Sequence, residues 1–389
     1  MRLLTFTNLY PSTDRPRHGI FVEERLRHLV ATRRVSARVL ALRPSASGFF
    51  HDAVRHESRH GIDVEYQAVP TLPVVTNWID PWLWARACER AVRRLLGKEP
   101  TDVVLDAHFL YPDGAAAVLL AARLGVPVVL SARGSDVNVK CANHVMRRWI
   151  RHAARNCDAL ITVSKALADK LAEYGVTAPL VEVLPNGVDL DKFRPLDRAA
   201  SRATLGLGGP RVVASVGHLV AAKGHALAIE ALAELRDTTL LVVGDGPELA
   251  ALQRLARASG VEQRVRFLGL VAHGRMAEVY SAADALVLPS EREGMPNVVL
   301  ESLACGTPVV ATDVGGIGEV LASPAAGHLL TERSAAALSA ALANLFAAPP
   351  TTAATRGYAE RFAWSGVVDK QLTLYRKVLD DRAAARGGR

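Results

Sequence analysis

Cysteine is scarce in this 389-residue chain, and its four positions, Cys88, Cys141, Cys157 and Cys305, form no CxxC pair and no metal-ligand spacing. That excludes a disulfide framework or a cysteine-built metal centre and leaves reduced thiols that serve packing. Any apolar run of about 18 residues is also absent. The best candidate, "GAAAVLLAARLGVPVVL", is broken by Arg123 and Pro127. The N-terminus "MRLLTFTNLYPSTDRPRHG" has too short an apolar core for a signal peptide and reads as a first strand. The glycine-rich turns have neither the GxGxxG nor the GxxxxGK[ST] spacing, so hydride transfer and phosphoryl transfer to nucleotides lose ground. No HxxxH, DxD-like or clustered Cys/His set stands near those turns, so no catalytic metal and no cofactor are expected. The absences point to a cytoplasmic protein.

Half of the residues are apolar, and the length suits two substantial cores. Strand-like runs alternate with helical stretches, the pattern of parallel sheets covered by helices. In the first half the strands read "RLLTFT", "SARVLAL", "TDVVLDAH", "VPVVLSAR", "DALITVS" and "VEVLP", with helical stretches at Phe21 to Thr32, Trp82 to Leu96 and Ala115 to Leu124. A polar, Gly/Pro-bearing linker near Pro195 to Gly209 precedes a second series, "RVVASVG", "TTLLVVGDG", "VRFLG", "ALVLPS" and "TPVVATD". Two α/β domains with doubly wound sheets are expected, residues 1–198 and 199–363. The net charge of +8 is concentrated in the first, where residues 1–50 alone hold nine arginines against three acids. That bias suits an anionic surface or acceptor, and an arginine-rich genome explains it equally well. No nucleic-acid partner is expected.

Ligands of such sheets bind outside the carboxyl ends of the strands. In the first series those ends carry His108 with "FLYPDG" and Arg133 with "GSD", which includes Asp136. In the second they carry "GHLVAAKG" from Gly217 to Gly224, "GDGPE", and "EREGMPNVVLESLACGTPVV". Lys223, just before a helix start, and the amides of its loop suit a diphosphate. Pro296 and Gly306 bracket a helix of about ten residues. That places Glu293 in the loop before it, Glu301 in its second turn and free amides between them. "GGIG" at Gly315 to Gly318 adds a further close backbone approach. Glu301 can reach a ribose diol, and Glu293 lies nearer a transferred sugar. Dipole compensation and solvation are the bland readings of the two acids. A satisfied structural role is the bland reading of His108.

"EREGMPNVVLESLACGTPVVATDVGG" resembles the E-x7-E signature of retaining glycosyltransferases of family 4, which have the GT-B fold. The resemblance extends over nearly the whole chain through "NLYPSTDRPRHGIFVEERLRHL", "AHFLYPDG", "SARGSD", "ITVSKALADKL", "LPNGVDLDKF", "VGHLVAAKGHALAIEAL", "LLVVGDGPE" and "YSAADALVLPSEREGMPN". It implies two Rossmann-like domains facing each other across a cleft, with a terminal helix, residues 364–385, returning to the first. A nucleotide-sugar donor, UDP- or GDP-linked, would be held by the second domain and a carbohydrate or lipid-linked carbohydrate acceptor by the first. Transfer would retain configuration without metal, in bacterial exopolysaccharide, lipopolysaccharide or glycolipid assembly.

Carried over, Glu301 holds the donor ribose, and Glu293 with Gly294, Met295, Pro296, Asn297 and Val298 holds the transferred sugar. Lys223 and Gly217 meet the diphosphate, Gly19 lets an N-terminal loop approach it, and His108 lies beside the sugar. Arg133 and Asp136 are acceptor-side candidates. The family's usual arginine after the first glycine of this turn is His218 here, which removes one diphosphate cation. A nucleotide-sugar epimerase and an inactive binding partner of a polysaccharide assembly complex are the rival readings. The basic first half and the aromatic run "NWIDPWLW" are also consistent with peripheral contact to an anionic membrane.

Overall fold

The computed structural model describes residues 1–49, 54–72, 76–97 and 100–387. The chain forms two compact units, Met1–Asn186 with Trp364–Arg389, and Gly187–Ala363.

The first unit is built on β1 (Arg2–Thr7), β2 (Ser36–Ser45), β3 (Val54–Arg59), β4 (Ile62–Pro70), β5 (Val103–His108), β6 (Val128–Ala132), β7 (Ala159–Thr162) and β8 (Val181–Val183). They lie in the order β3-β4-β2-β1-β5-β6-β7-β8. Every neighbouring pair is parallel except the β3–β4 hairpin. β5 and β6 are buried along their whole length, which is why they read as mostly apolar runs rather than alternating ones. The chain winds from β1 through β2 to β4 and then returns to β5 on the other side of β1. That reversal opens a crevice at the carboxyl ends of β1 and β5.

The second unit has β9 (Arg211–Val216), β10 (Thr238–Val243), β11 (Val265–Gly269), β12 (Ala285–Leu288), β13 (Val309–Thr312) and β14 (Gly327–Leu330), in the order β11-β10-β9-β12-β13-β14. All pairs are parallel. Here the winding reverses between β9 and β12.

Three strands escaped the sequence reading. β3 and β4 pair through a turn at His60 and Gly61, both with positive φ, the twist that two-residue hairpins need. β3 reads "VRHESR" and occupies the sheet edge, where charged side chains discourage pairing with another chain. β14 is four residues long and begins at Gly327, where a Cβ would sit 1.9 Å from the Val309 carbonyl oxygen.

The last helix, Trp364–Gly387, belongs to the first unit and packs on the helix Ile20–Ala31. Its buried Val368, Leu372, Tyr375 and Val378 form one stripe within the core that includes Val22, Leu26 and Leu29. Each such burial is worth about 2 kcal/mol. The break between units falls at Asn186/Gly187 rather than at 198/199. Residues 187–197 turn toward the second unit: Phe193 packs on His273 and Tyr280, and Leu196 N–H donates to Ser281. All four cysteines are buried and free of disulfides.

Candidate functional site

In the second unit, the loop after β9 and the loop after β12 are joined where Glu291 N–H donates to Ala222 O at 2.8 Å. Gly224 has φ +73, and a Cβ there would meet Pro289 O at 2.2 Å, so only glycine lets the two loops close. Lys223 Nζ lies 2.6 Å from Glu293 Oε1, which also accepts from Ser290 Oγ at 2.7 Å. The lysine stem passes Gly217, where a Cβ would stand 3.9 Å from Lys223 Cδ. Behind this pair, Gly315 leaves no room for a side chain against Glu293 O, and Gly316 N–H donates to Gly294 O at 2.8 Å. The "GGIG" turn therefore backs the Glu293–Gly294 segment.

The following helix runs Asn297–Ala304 with Pro296 at its N-cap, a residue that makes no side-chain cap. Met295 is buried, and Asn297 and Val298 open the helix. Its amides, at the positive end of the helix dipole, are disposed to meet an anion. Glu301 lies in the second turn and is 8 % exposed. Its carboxylate accepts from Tyr280 OH at 2.7 Å and from His273 Nε2 at 3.1 Å. Lys192 Nζ donates to the same ring at Nδ1, 2.7 Å away. His273 is thus read as a neutral ring passing a hydrogen bond from Lys192 to Glu301. Burial, then Glu301, push the Tyr280 phenol well above its ordinary range.

His218 turns its Nδ1 to Asp245 O at 2.6 Å. An N–H at that position leaves Nε2 an acceptor unless the ring is protonated. The loop beneath is fixed by His225, whose Nδ1 lies 2.8 Å from Ser215 Oγ and whose Nε2 lies 3.3 Å from His218 O. Burial holds the pKa of His225 down to about 4.

The first unit gathers the remaining candidates. His108 ends β5 and is buried; its Nε2 lies 2.9 Å from Asp106 Oδ2, and its Nδ1 accepts from Arg133 Nε at 3.2 Å. Burial lowers its pKa to about 4, against the opposing pull of Asp106. Both ring nitrogens of His108 are thus engaged within the first unit.

Asp136 is fully buried and spends both oxygens on the amides of Leu110, Arg133, Gly134 and Val137. It pins the loops after β5 and β6 together, and burial raises its pKa. Gly19 caps the helix Ile20–Ala31 with φ +71, and its missing Cβ admits the Leu9 backbone, 2.3 Å from where that atom would stand.

The partners that sequence reasoning missed are Lys192, Tyr280, His273 and Ser290. Lys192 lies within the quoted "LPNGVDLDKF" and Tyr280 within "YSAAD", so both were in view without a role.

Two family profiles cover most of the chain. "Glycosyltransferase Family 4" matches residues 19–192 and "Glycosyl transferases group 1" matches residues 197–362. The putative teichuronic acid biosynthesis glycosyltransferase TuaC of Bacillus subtilis is 31% identical over 368 residues, 88% of each chain. A D-inositol 3-phosphate glycosyltransferase of Rhodococcus opacus is 37% identical over 303 residues, 70% of this chain and 67% of the relative. Among solved structures, a sucrose-phosphate synthase from Thermosynechococcus elongatus superposes with a TM-score of 0.78 at 21% identity, covering 98% of this chain and 99% of the other. Anabaena HepE in complex with UDP gives 0.76 at 20%, covering 97% and 100%. The chain belongs to glycosyltransferase family 4 and is a glycosyltransferase of the GT-B fold.

Proposed function

We propose that the chain moves a hexosyl-type sugar from a UDP- or GDP-sugar to a hydroxyl of a carbohydrate or lipid-linked acceptor, with retention of configuration. The observation that carries this reading is the Lys223–Glu293 pair beside the start of the helix Asn297–Ala304, at the point where the second sheet reverses its winding. The structural neighbour HepE has been solved with UDP and glucose, which supports a nucleotide-sugar donor. Relatives named for teichuronic acid biosynthesis and for D-inositol 3-phosphate support an acceptor from bacterial glycan or glycolipid assembly.

Lys223 and the helix-start amides meet the departing diphosphate in place of a metal ion. As the diphosphate enters, Lys223 turns from Glu293 to the phosphate oxygens, which frees Glu293 to orient the sugar hydroxyls. Glu301 takes the ribose diol. The bond from the anomeric carbon to phosphate breaks on the face where the acceptor oxygen adds, and the leaving phosphate oxygen receives the acceptor's proton. Among the described residues no helix is long and apolar enough to cross a membrane. Trp78 and Trp82 are exposed at 62% and 46%, which supports peripheral contact with an anionic bilayer.

The test is a panel of UDP-, GDP- and ADP-sugars followed by thermal shift and slow hydrolysis, with Glu301→Ala as control and EDTA in parallel. Stabilisation by one nucleotide, lost in the control and kept in EDTA, is the expected result. Silence across the panel sinks the reading, and a mass-detected glycosyl adduct on Glu293 would replace front-side attack with a covalent route.

A further inference from the structure

At the carboxyl ends of β5 and β6 stands a guanidinium whose direct hydrogen-bond partners, among the described residues, are all neutral. Arg133 donates from Nε to His108 Nδ1 at 3.2 Å and from NH1 to Asn186 Oδ1 at 3.2 Å, and the Phe21 ring lies 5.4 Å from its Cζ. NH2 also donates to His108 Nδ1. The neighbouring guanidinium of Arg25, itself buried, is held by Leu184 O, Pro185 O, Asn186 Oδ1 and Gln371 Oε1. Among the described residues neither arginine makes an ion pair with a carboxylate.

The carboxylates in the vicinity are already engaged. Asp106 accepts from His108 and, at 2.9 Å, from Tyr375 OH, while Asp136 holds four backbone amides. Burial and the neighbouring Arg25 lower the pKa of Arg133 to about 9, so it is still a cation at neutral pH.

Two largely desolvated guanidiniums, Arg25 and Arg133, share the field of Asp106, and Arg133 also that of Asp136, without touching either carboxylate; the charge left unmatched is what an incoming anion would offset. Of the five N–H groups of a guanidinium, three are spent here, leaving one on each terminal nitrogen. Two such donors in a planar fork match a phosphate or carboxylate. The residue is half-buried rather than buried, so part of its surface is open to a ligand. His108 accepts the inner edge of the fork and is fixed in the accepting tautomer by Asp106.

We propose that Arg133 is an oxyanion receptor, so that the acceptor carries a phosphate or carboxylate group, with His108 the positioning residue that aims the fork. This rests on the glycosyl-transfer reading.

The experiment measures binding of glucose 6-phosphate, glucuronate and glucose to the full chain by calorimetry. Saturating nucleoside diphosphate keeps the anions off the donor turn. At least one of the anionic sugars is expected to bind ten-fold or more tighter than glucose, and which one does so separates phosphate from carboxylate. Arg133→Gln should abolish the preference. His108→Phe should lose it, and His108→Gln, which restores an acceptor, should keep it. Equal affinities in the wild-type protein, which need no variant to interpret, or a preference that survives Arg133→Gln, would overturn the proposal. A preference unmoved in His108→Phe would remove the positioning role. Donor hydrolysis is followed in the same samples: its absence counts against glycosyl transfer, whereas hydrolysis without anion preference counts against the receptor alone.

Discussion

His225→Gln tests whether the His218 turn is held by a neutral histidine. The ring is 2 % exposed and bonded at both nitrogens, to Ser215 Oγ and His218 O. Burial moves its pKa from 6.5 to about 4. A depressed histidine pKa contributes stability that is complete above 6.5 and disappears as pH falls toward 4, because the unfolded chain takes up the proton first. Between pH 7.5 and pH 4.5 this one group should cost the wild-type protein about 2.5 kcal/mol. Glutamine offers an oxygen to Ser215 and an N–H to His218 O, so it keeps both bonds and removes the titration.

The assay is urea unfolding followed by circular dichroism at the two pH values. Other groups titrate in the same window, His108 among them, but they are common to both proteins and cancel in the difference of differences. The acid-induced loss should be smaller in the variant by about 2 kcal/mol, allowing for imperfect replacement. Nucleotide affinity should follow, since the turn carries Gly217, His218 and Lys223. Equal acid sensitivity in the two proteins, within about 0.5 kcal/mol, would refute the buried neutral ring.

Two further outcomes follow from the same unit. Gly244→Ala places a Cβ 1.9 Å from Gly217 O at a φ of +140, and should cost about 2–4 kcal/mol in urea unfolding and weaken nucleotide binding at the turn it displaces; an unchanged midpoint would show that the two loops can separate freely. Tyr280→Phe removes the buried donor to Glu301 and should cost about 2 kcal/mol, while narrowing the preference for the bound nucleoside diphosphate over its 2′-deoxy form; a preference that stays intact would detach Glu301 from the ribose.

How much of the fold could be read in advance depended on burial. β5 and β6 are buried on both faces, so their sequences are mostly apolar, and the expected strands match them to within two residues. β3 carries arginine, histidine and acid at successive positions and β4 carries acids at alternate ones near the sheet edge, and neither pattern separates such a strand from a polar loop. The helix Ala115–Leu124 was bounded correctly because Gly125, in the left-handed region at φ 65, stops it. The domain break was harder. The linker-like composition begins only near Pro195, yet Arg356 donates to the Leu190 and Phe193 carbonyls and already ties the stretch before it to the second unit.

The two glutamates and Lys223 were legible for a different reason. Intervals along a helix and its flanking loop are fixed by geometry, so Glu293 and Glu301 could be assigned to a loop and a second turn from spacing alone. Their partners lie across the fold, and spacing does not reach that far: Tyr280 and His273 come from 21 and 28 positions away. A physical question would have pointed to them. Val299, Leu300 and Leu303 make the helix Asn297–Ala304 a buried one, so Glu301, in its second turn, must be largely desolvated. A desolvated carboxylate requires donors in place of water. Within "VAHGRMAEVYSAAD", the segment leading into the adjacent strand β12, histidine, tyrosine and serine are the side chains that offer such donors without bringing a full positive charge. The site therefore holds Glu301 on neutral donors. On the proposed function, a ribose diol would share that carboxylate without first breaking a salt bridge to a fixed cation, whereas Glu293 starts in an ion pair with Lys223 that the donor's own diphosphate would open.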